Sequence, residues 1–271
     1  MHTNFIVNDY ALAWSLLFQA SISETIYGLK QKIWDTYKNE YNSSFNDKED
    51  ILKDYKNFIP NNDTIYNILF ELKEYEKLKK QAEKYRIEIM GLWDKNKKNI
   101  NDLVTKILRL NIEDYTFFIV NKEFNIIDQA YKNCIIIGKE IDKKEPINTL
   151  IDITMSIAKH NIKKYKDEDD KFKKAILELA IYNEFPTRTT GRSFYQLGHP
   201  GYTGLKRWLY PYWLMYLGIP KEEFDAFMMR DKIAFDSEKY AYEKELKKMN
   251  IEQFIDFCIR NQKYIIREGR R

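Results

Sequence analysis

Between Phe185 and Pro220 the chain reads FPTRTTGRSFYQLGHPGYTGLKRWLYPYWLMYLGIP, thirty-six residues without one Asp or Glu. Arg188, Arg192, Lys206 and Arg207 fall inside it, and their four charges equal the net charge of +4 of the whole chain. Thr187, Thr189, Thr190 and Ser193 alternate with the two arginines, and Gly191 permits close backbone approach. Guanidinium forks, hydroxyls and glycine amides together suit an anion, either a phosphate or a carboxylate. His199, held between Gly198 and Pro200, adds a group that titrates near neutrality and can serve as a general acid. Tyr195 and Tyr202 are loop aromatics on which a base could stack. The same residues also read as a structural loop whose arginines neutralise carboxylates of the preceding helix. Both readings stand at this point. No phosphate-loop lysine motif, dinucleotide fingerprint or nucleophile elbow accompanies them.

A second set of residues lies upstream. A short apolar run, CIIIG (134–138), precedes NTLIDITMSIAKHNI (148–162), which precedes KKAILELAIYNEF (173–185) and then the acid-free stretch. With Asn183-Glu184, this order resembles the core of gluzincin-type zinc metallopeptidases over roughly residues 115–195. In that family a strand runs past the cleft, one helix bears His-Glu-x-x-His, and a later helix supplies a glutamate, often within an Asn-Glu pair. The resemblance implies zinc as the metal, with His160 and Glu184 as the ligand candidates and Glu178 as an alternative to Glu184. Two such histidines must stand four apart so that both point from one helix face at a single ion. One frame puts Asp152, Ile153 and Ser156 at the His, Glu and His positions, and the other puts Ser156, Ile157 and His160 there.

In both frames the residue that should activate water is an isoleucine, which can neither hold a proton nor orient a water molecule. The resemblance therefore implies a catalytically inactive member that keeps the scaffold, holds no cofactor, and binds a protein or peptide through its cleft and the basic loop. A nucleotide- or nucleic-acid-binding protein working through the loop at 187–207 is the alternative. A hydrolase built on Glu178, Glu184 and His199 is a third. Each residue has a plainer role as well. Glu178 follows Lys174 by four, an ordinary helix pair. Glu184, near a helix end, opposes the dipole and calls for Arg188 or Arg192 as a partner. His160 ends an apolar helix, where a histidine is commonly satisfied by its surroundings.

The elements that must position these groups are mostly helical. Apolar spacing predicts helices from Tyr10 to Ile22 and from Ser23-Glu24 to Tyr41. Asn61-Asn62-Asp63 reads as a cap opening a long charged helix from Thr64 to about Met90, with another over 99–110. YTFFIV (115–120) and CIII (134–137) read as two short, paired strands. A helix starts after Pro146, and the acidic run Asp167 to Asp170 caps the next, over 172–185. Helices follow at 206–217, 221–230, 237–248 and 251–265. Trp208, Tyr212, Met215 and Tyr216 form a core-facing stripe on the first of these. The expected fold is thus mostly α, of the α+β class, with a minimal sheet and a metallopeptidase-like core. An N-terminal helical segment (1–110) and a mixed unit (111–271) share one core.

Composition narrows the partner classes. Forty-four per cent apolar and 15% aromatic residues exclude a disordered chain. A balance of 45 basic to 41 acidic residues is a weak excess for a nucleic-acid domain. Cys134 and Cys258 stand apart in apolar runs and read as reduced, buried thiols. The longest apolar run, 208–219, is too short to span a bilayer and is broken by Pro211. With no signal-peptide order at the N-terminus, a cytoplasmic protein without a membrane partner is expected.

Overall fold

The computed structural model describes residues 1–19, 23–43, 64–112, 114–129, 133–190, 201–230, 232–233 and 237–268. The chain is mostly helical with one four-stranded sheet. It divides into two compact units, one of residues 1–95 and 112–160, the other of residues 96–111 and 161–271. A division at residue 110 would separate the first strand from the strand it pairs with, which the sequence pattern did not show.

The first unit holds the sheet. Strands β1 (His2–Ile6), β2 (Asp114–Ile119), β3 (Ile126–Gln129) and β4 (Cys134–Gly138) lie in the order β1-β2-β4-β3. The β1–β2 and β2–β4 pairs are parallel, and β3 runs antiparallel to β4 as an edge strand. The two expected strands are therefore β2 and β4, and they do pair. Their uninterrupted apolar runs have a physical cause: a parallel sheet is covered on both faces and needs no polar alternation. On one face Phe117 meets Phe5 and Trp93, with ring centroids 4.7 and 5.0 Å away. On the other, Phe118 and Ile136 join the core formed by the N-terminal helices. Strands β1 and β3 are short and mixed in polarity, so no pattern marked them.

Helices α1 (Asp9–Phe18) and α2 (Glu24–Thr36) begin at Asn8 and Ser23, whose side chains accept from Ala11 N and Ile26 N. Helix α3 (Lys38–Ser43) comes next. The cap expected at 61–63 lies outside the described residues. The long charged helix is broken: α4 (Thr64–Glu71) ends and α5 (Lys73–Asp102) begins on either side of Leu72. No Gly or Pro marks the break. Leu72 packs against the core, while Tyr75 and Lys79 tie the start of α5 to Asp9, at 2.7 Å to its carbonyl and 2.8 Å to its carboxylate. Tertiary anchoring overrides the local pattern here. Helix α6 (Ile147–Asn161) starts after Pro146 as expected.

The second unit contains two π-helical segments, Leu103–Ile107 and Leu179–Glu184, which pack against each other. Helix α7 (Asp167–Glu178), with four acidic residues in its first turn, runs through the second π segment into α8 (Phe185–Thr190). Helix α9 (Thr203–Leu217) is buried on every side from Leu209 to Tyr216, so its aromatics form no single stripe. Then come α10 (Lys221–Arg230), a 3-10 turn (Ser237–Tyr242), α11 (Glu243–Leu246), α12 (Ile251–Arg260) and α13 (Gln262–Glu268). Gly218, at φ 72°, closes α9 with hydrogen bonds back to Met215 and Leu214 from its own and the next amide. Arg109 donates to the carbonyls of Tyr216, Lys247 and Met249 and lies 4.3 Å over the Tyr216 ring. A planar fork on three carbonyls and a ring is a site that lysine cannot copy.

Packing makes two outcomes testable. A Cβ at Gly138 would stand 2.5 Å from Val120 Cγ2 and 2.6 Å from the Asn121 carbonyl oxygen. Because a backbone carbonyl cannot move aside cheaply, Gly138→Ala should destabilise by about 1–3 kcal/mol in urea unfolding. Arg109→Lys should lower the thermal midpoint nearly as far as Arg109→Ala, since charge alone does not replace the fork.

Candidate functional site

Helix α6 carries the positions that the metallopeptidase resemblance singles out. Ile153 and Ile157 are fully buried. Asp152 Oδ2 accepts from Lys139 Nζ at 2.5 Å, so the residue after β4 is tied to the helix at the place where a first histidine would stand. Ser156 is half-buried. His160, in the last turn of α6, sets its ring edge-on to Tyr115 at 6.3 Å between centroids. The helix thus presents isoleucines to the core and an acid–lysine pair to the strand end. An ion-paired aspartate and an aromatic-packed histidine do not make a facing metal pair. Among the described residues, no group of three or more His, Cys, Asp or Glu is placed to hold a metal ion.

In the second unit the chemistry-bearing residues gather around α7, its π extension and α9. Glu178, the last residue of α7, meets Lys206 of α9, Oε2 to Nζ at 2.8 Å. The Lys206 side chain is 0% exposed and that of Glu178 is 12% exposed. Two expectations change here. Lys206 is not an anion- or partner-binding cation at the surface; it is buried and bound to a carboxylate. Glu178 does not pair with Lys174, which instead reaches Asp170 at 2.7 Å. That hydrogen bond and charge raise the Lys174 pKa above its ordinary value. The reason is helical phase. Lys206 shares a face with Leu209, Tyr210 and Trp213, all buried, so this face carries its ammonium inward, where a carboxylate compensates it.

The π segment beyond Glu178 places Asn183 and Glu184 inside, at 5% and 1% exposure. A π turn adds a residue and rotates the helix beyond it, and such turns are frequent at functional sites. Among the described residues, neither side-chain polar atom of Asn183 has a hydrogen-bond partner. Thr187 is also buried. Another lysine, Lys173, is buried with its Nζ donating to the Ile162 and Lys163 carbonyls at 3.1 Å. The composition of the segment gave no sign of a π turn, and the burial of Asn183 was not expected.

The basic loop is only partly described. Arg192, Tyr195 and His199, and the side chain of Arg188, lie outside the described residues. The expected Glu184–Arg188 bridge falls there as well. Tyr202 sits at φ 53° before α9, exposed, and its carbonyl accepts from Lys206 N at 2.8 Å. Arg207 is exposed and donates to the Lys232 carbonyl at 3.0 Å. Of the seven loop residues singled out for binding, Lys206 is thus withdrawn into the core, while Tyr202 and Arg207 face solvent.

Burial holds both thiols protonated. The Cys134 pKa is pushed up to about 11, and that of Cys258 rises well above its ordinary value. Comparison with protein-family models, with curated proteins and with solved structures returned no match.

Removing one member of a buried pair strands the other charge. Lys206→Ala should therefore destabilise by about 3–5 kcal/mol, whereas Arg207→Ala should stay within about 0.5 kcal/mol. Chemical denaturation of the two variants beside the parent chain checks both values.

Proposed function

We propose that this chain is a catalytically inactive, metallopeptidase-like scaffold that binds an extended segment of a protein or peptide. One observation carries the reading: in both frames of the degenerate motif the water-activating position is an isoleucine, and both isoleucines are fully buried in the core. A buried aliphatic side chain at that position leaves a hydrolytic step without a base. The Lys139–Asp152 ion pair adds support, because it engages the acidic residue that could otherwise have stood in for a ligand.

The binding half of the proposal draws on the sheet. Among the described residues, β3 pairs only with β4. In an antiparallel pair alternate residues turn both backbone groups away from the partner, so part of β3 can accept an added strand. Of the anion-binding alternative, Lys206 is withdrawn, since it is buried against Glu178.

Two experiments test the proposal. Elemental analysis of the purified protein should find less than one zinc per chain, and a chelator should leave the thermal midpoint unchanged. Stoichiometric zinc that is lost together with stability would end the reading. For binding, peptides selected from a displayed library should be lost to one of the paired variants Ile127→Pro and Asp128→Pro while that variant stays folded. Only one of two neighbouring residues turns its N–H outward. Selected peptides that bind both folded variants as tightly as the parent would rule out strand addition.

A further inference from the structure

Helices α2 and α5 leave a groove of about 280 Å³ between them in the first unit. Its floor is Ile26, Leu29 and Leu78, and its rim carries Lys77 and Gln81. The spacing on both helices, three and four residues, shows that each contributes one continuous face. Gly28 lies in the wall, and a Cβ there would meet nothing within 4 Å. A glycine in the interior of a helix lowers its stability relative to alanine, and here it keeps the groove open.

The charges around the groove are unevenly engaged. Lys32 bridges Glu74 at 3.1 Å, and Glu123 Oε2 accepts from Ser23 Oγ at 2.5 Å. The charge of Glu74 is thus offset by Lys32, and Glu123 has one oxygen met by a hydroxyl. Gln81 Oε1 accepts from Asn121 Nδ2 at 2.7 Å, which leaves its amide N–H groups for a ligand. Among the described residues, the Lys77 ammonium makes no hydrogen bond or ion pair. An apolar floor beside an ammonium and an amide donor is complementary to one chemistry, a short hydrocarbon chain ending in a carboxylate.

We infer that this groove is a binding site for a medium-chain carboxylate, with the chain on Ile26, Leu29 and Leu78 and the carboxylate on Lys77 and Gln81. The site is separate from the degenerate motif and does not depend on the function proposed above. At about 280 Å³ the groove lies at the small end of ligand pockets, which suits a short chain such as that of octanoate.

Octanoate is the probe, titrated below its micelle concentration while amide signals of the whole protein are followed by NMR. Saturable shifts at Gly28, Leu29 and Leu78 are expected. Gly28→Leu should fill the groove, abolish those shifts and leave the thermal midpoint unchanged or higher, so that loss of binding is not loss of fold. Lys77→Glu should weaken octanoate at least five-fold while neutral octanol binds as before. No saturable shift with the parent protein, unchanged octanoate binding in Gly28→Leu, or equal affinity in Lys77→Glu would each overturn the inference.

Discussion

A lysine ammonium with no solvent exposure has to be neutralised where it stands, and the second unit is organised around that requirement. Moving a carboxylate and an ammonium out of water costs several kcal/mol each, which their attraction repays only when the geometry is good. Glu178 and Lys206 meet at 2.8 Å. That contact fixes the end of α7 against the start of α9. The π segment with the buried Asn183 and Glu184 follows directly after Glu178. A buried pair of this kind often adds little net stability over an apolar replacement, whereas losing one partner is costly.

Helix α6 in the first unit shows the same logic. Asp152 is engaged by Lys139, and Ile153 and Ile157 are part of the core. Residue types that suggest chemistry when read in order have been taken up by packing and charge compensation. The rim of the α2–α5 groove stands in contrast, since among the described residues Lys77 makes no ion pair there.

Much of the fold was legible because burial leaves a periodic trace. The helices after Ser23 and Pro146 start where their caps and breakers indicate, and the runs YTFFIV and CIII supply the two central parallel strands. The features that escaped detection lacked such a trace. Strands β1 and β3 owe their conformation to pairing with distant segments. The break at Leu72 comes from the hold of Tyr75 and Lys79 on Asp9, and the π turns involve no special residue. At the candidate site, Glu178 was paired with the wrong lysine because local spacing favoured Lys174. Only the phase of α9, with Lys206 in line with Leu209, Tyr210 and Trp213, hinted that Lys206 points inward.

The most direct test of the central constraint is a double-mutant cycle at the buried pair, measured by urea unfolding of Glu178→Met, Lys206→Met and the two combined. If each charge is buried chiefly to answer the other, the double variant should recover most of the stability lost by the singles, with a coupling of about 2–3 kcal/mol. Additive losses, with no coupling between the two positions, would contradict the account.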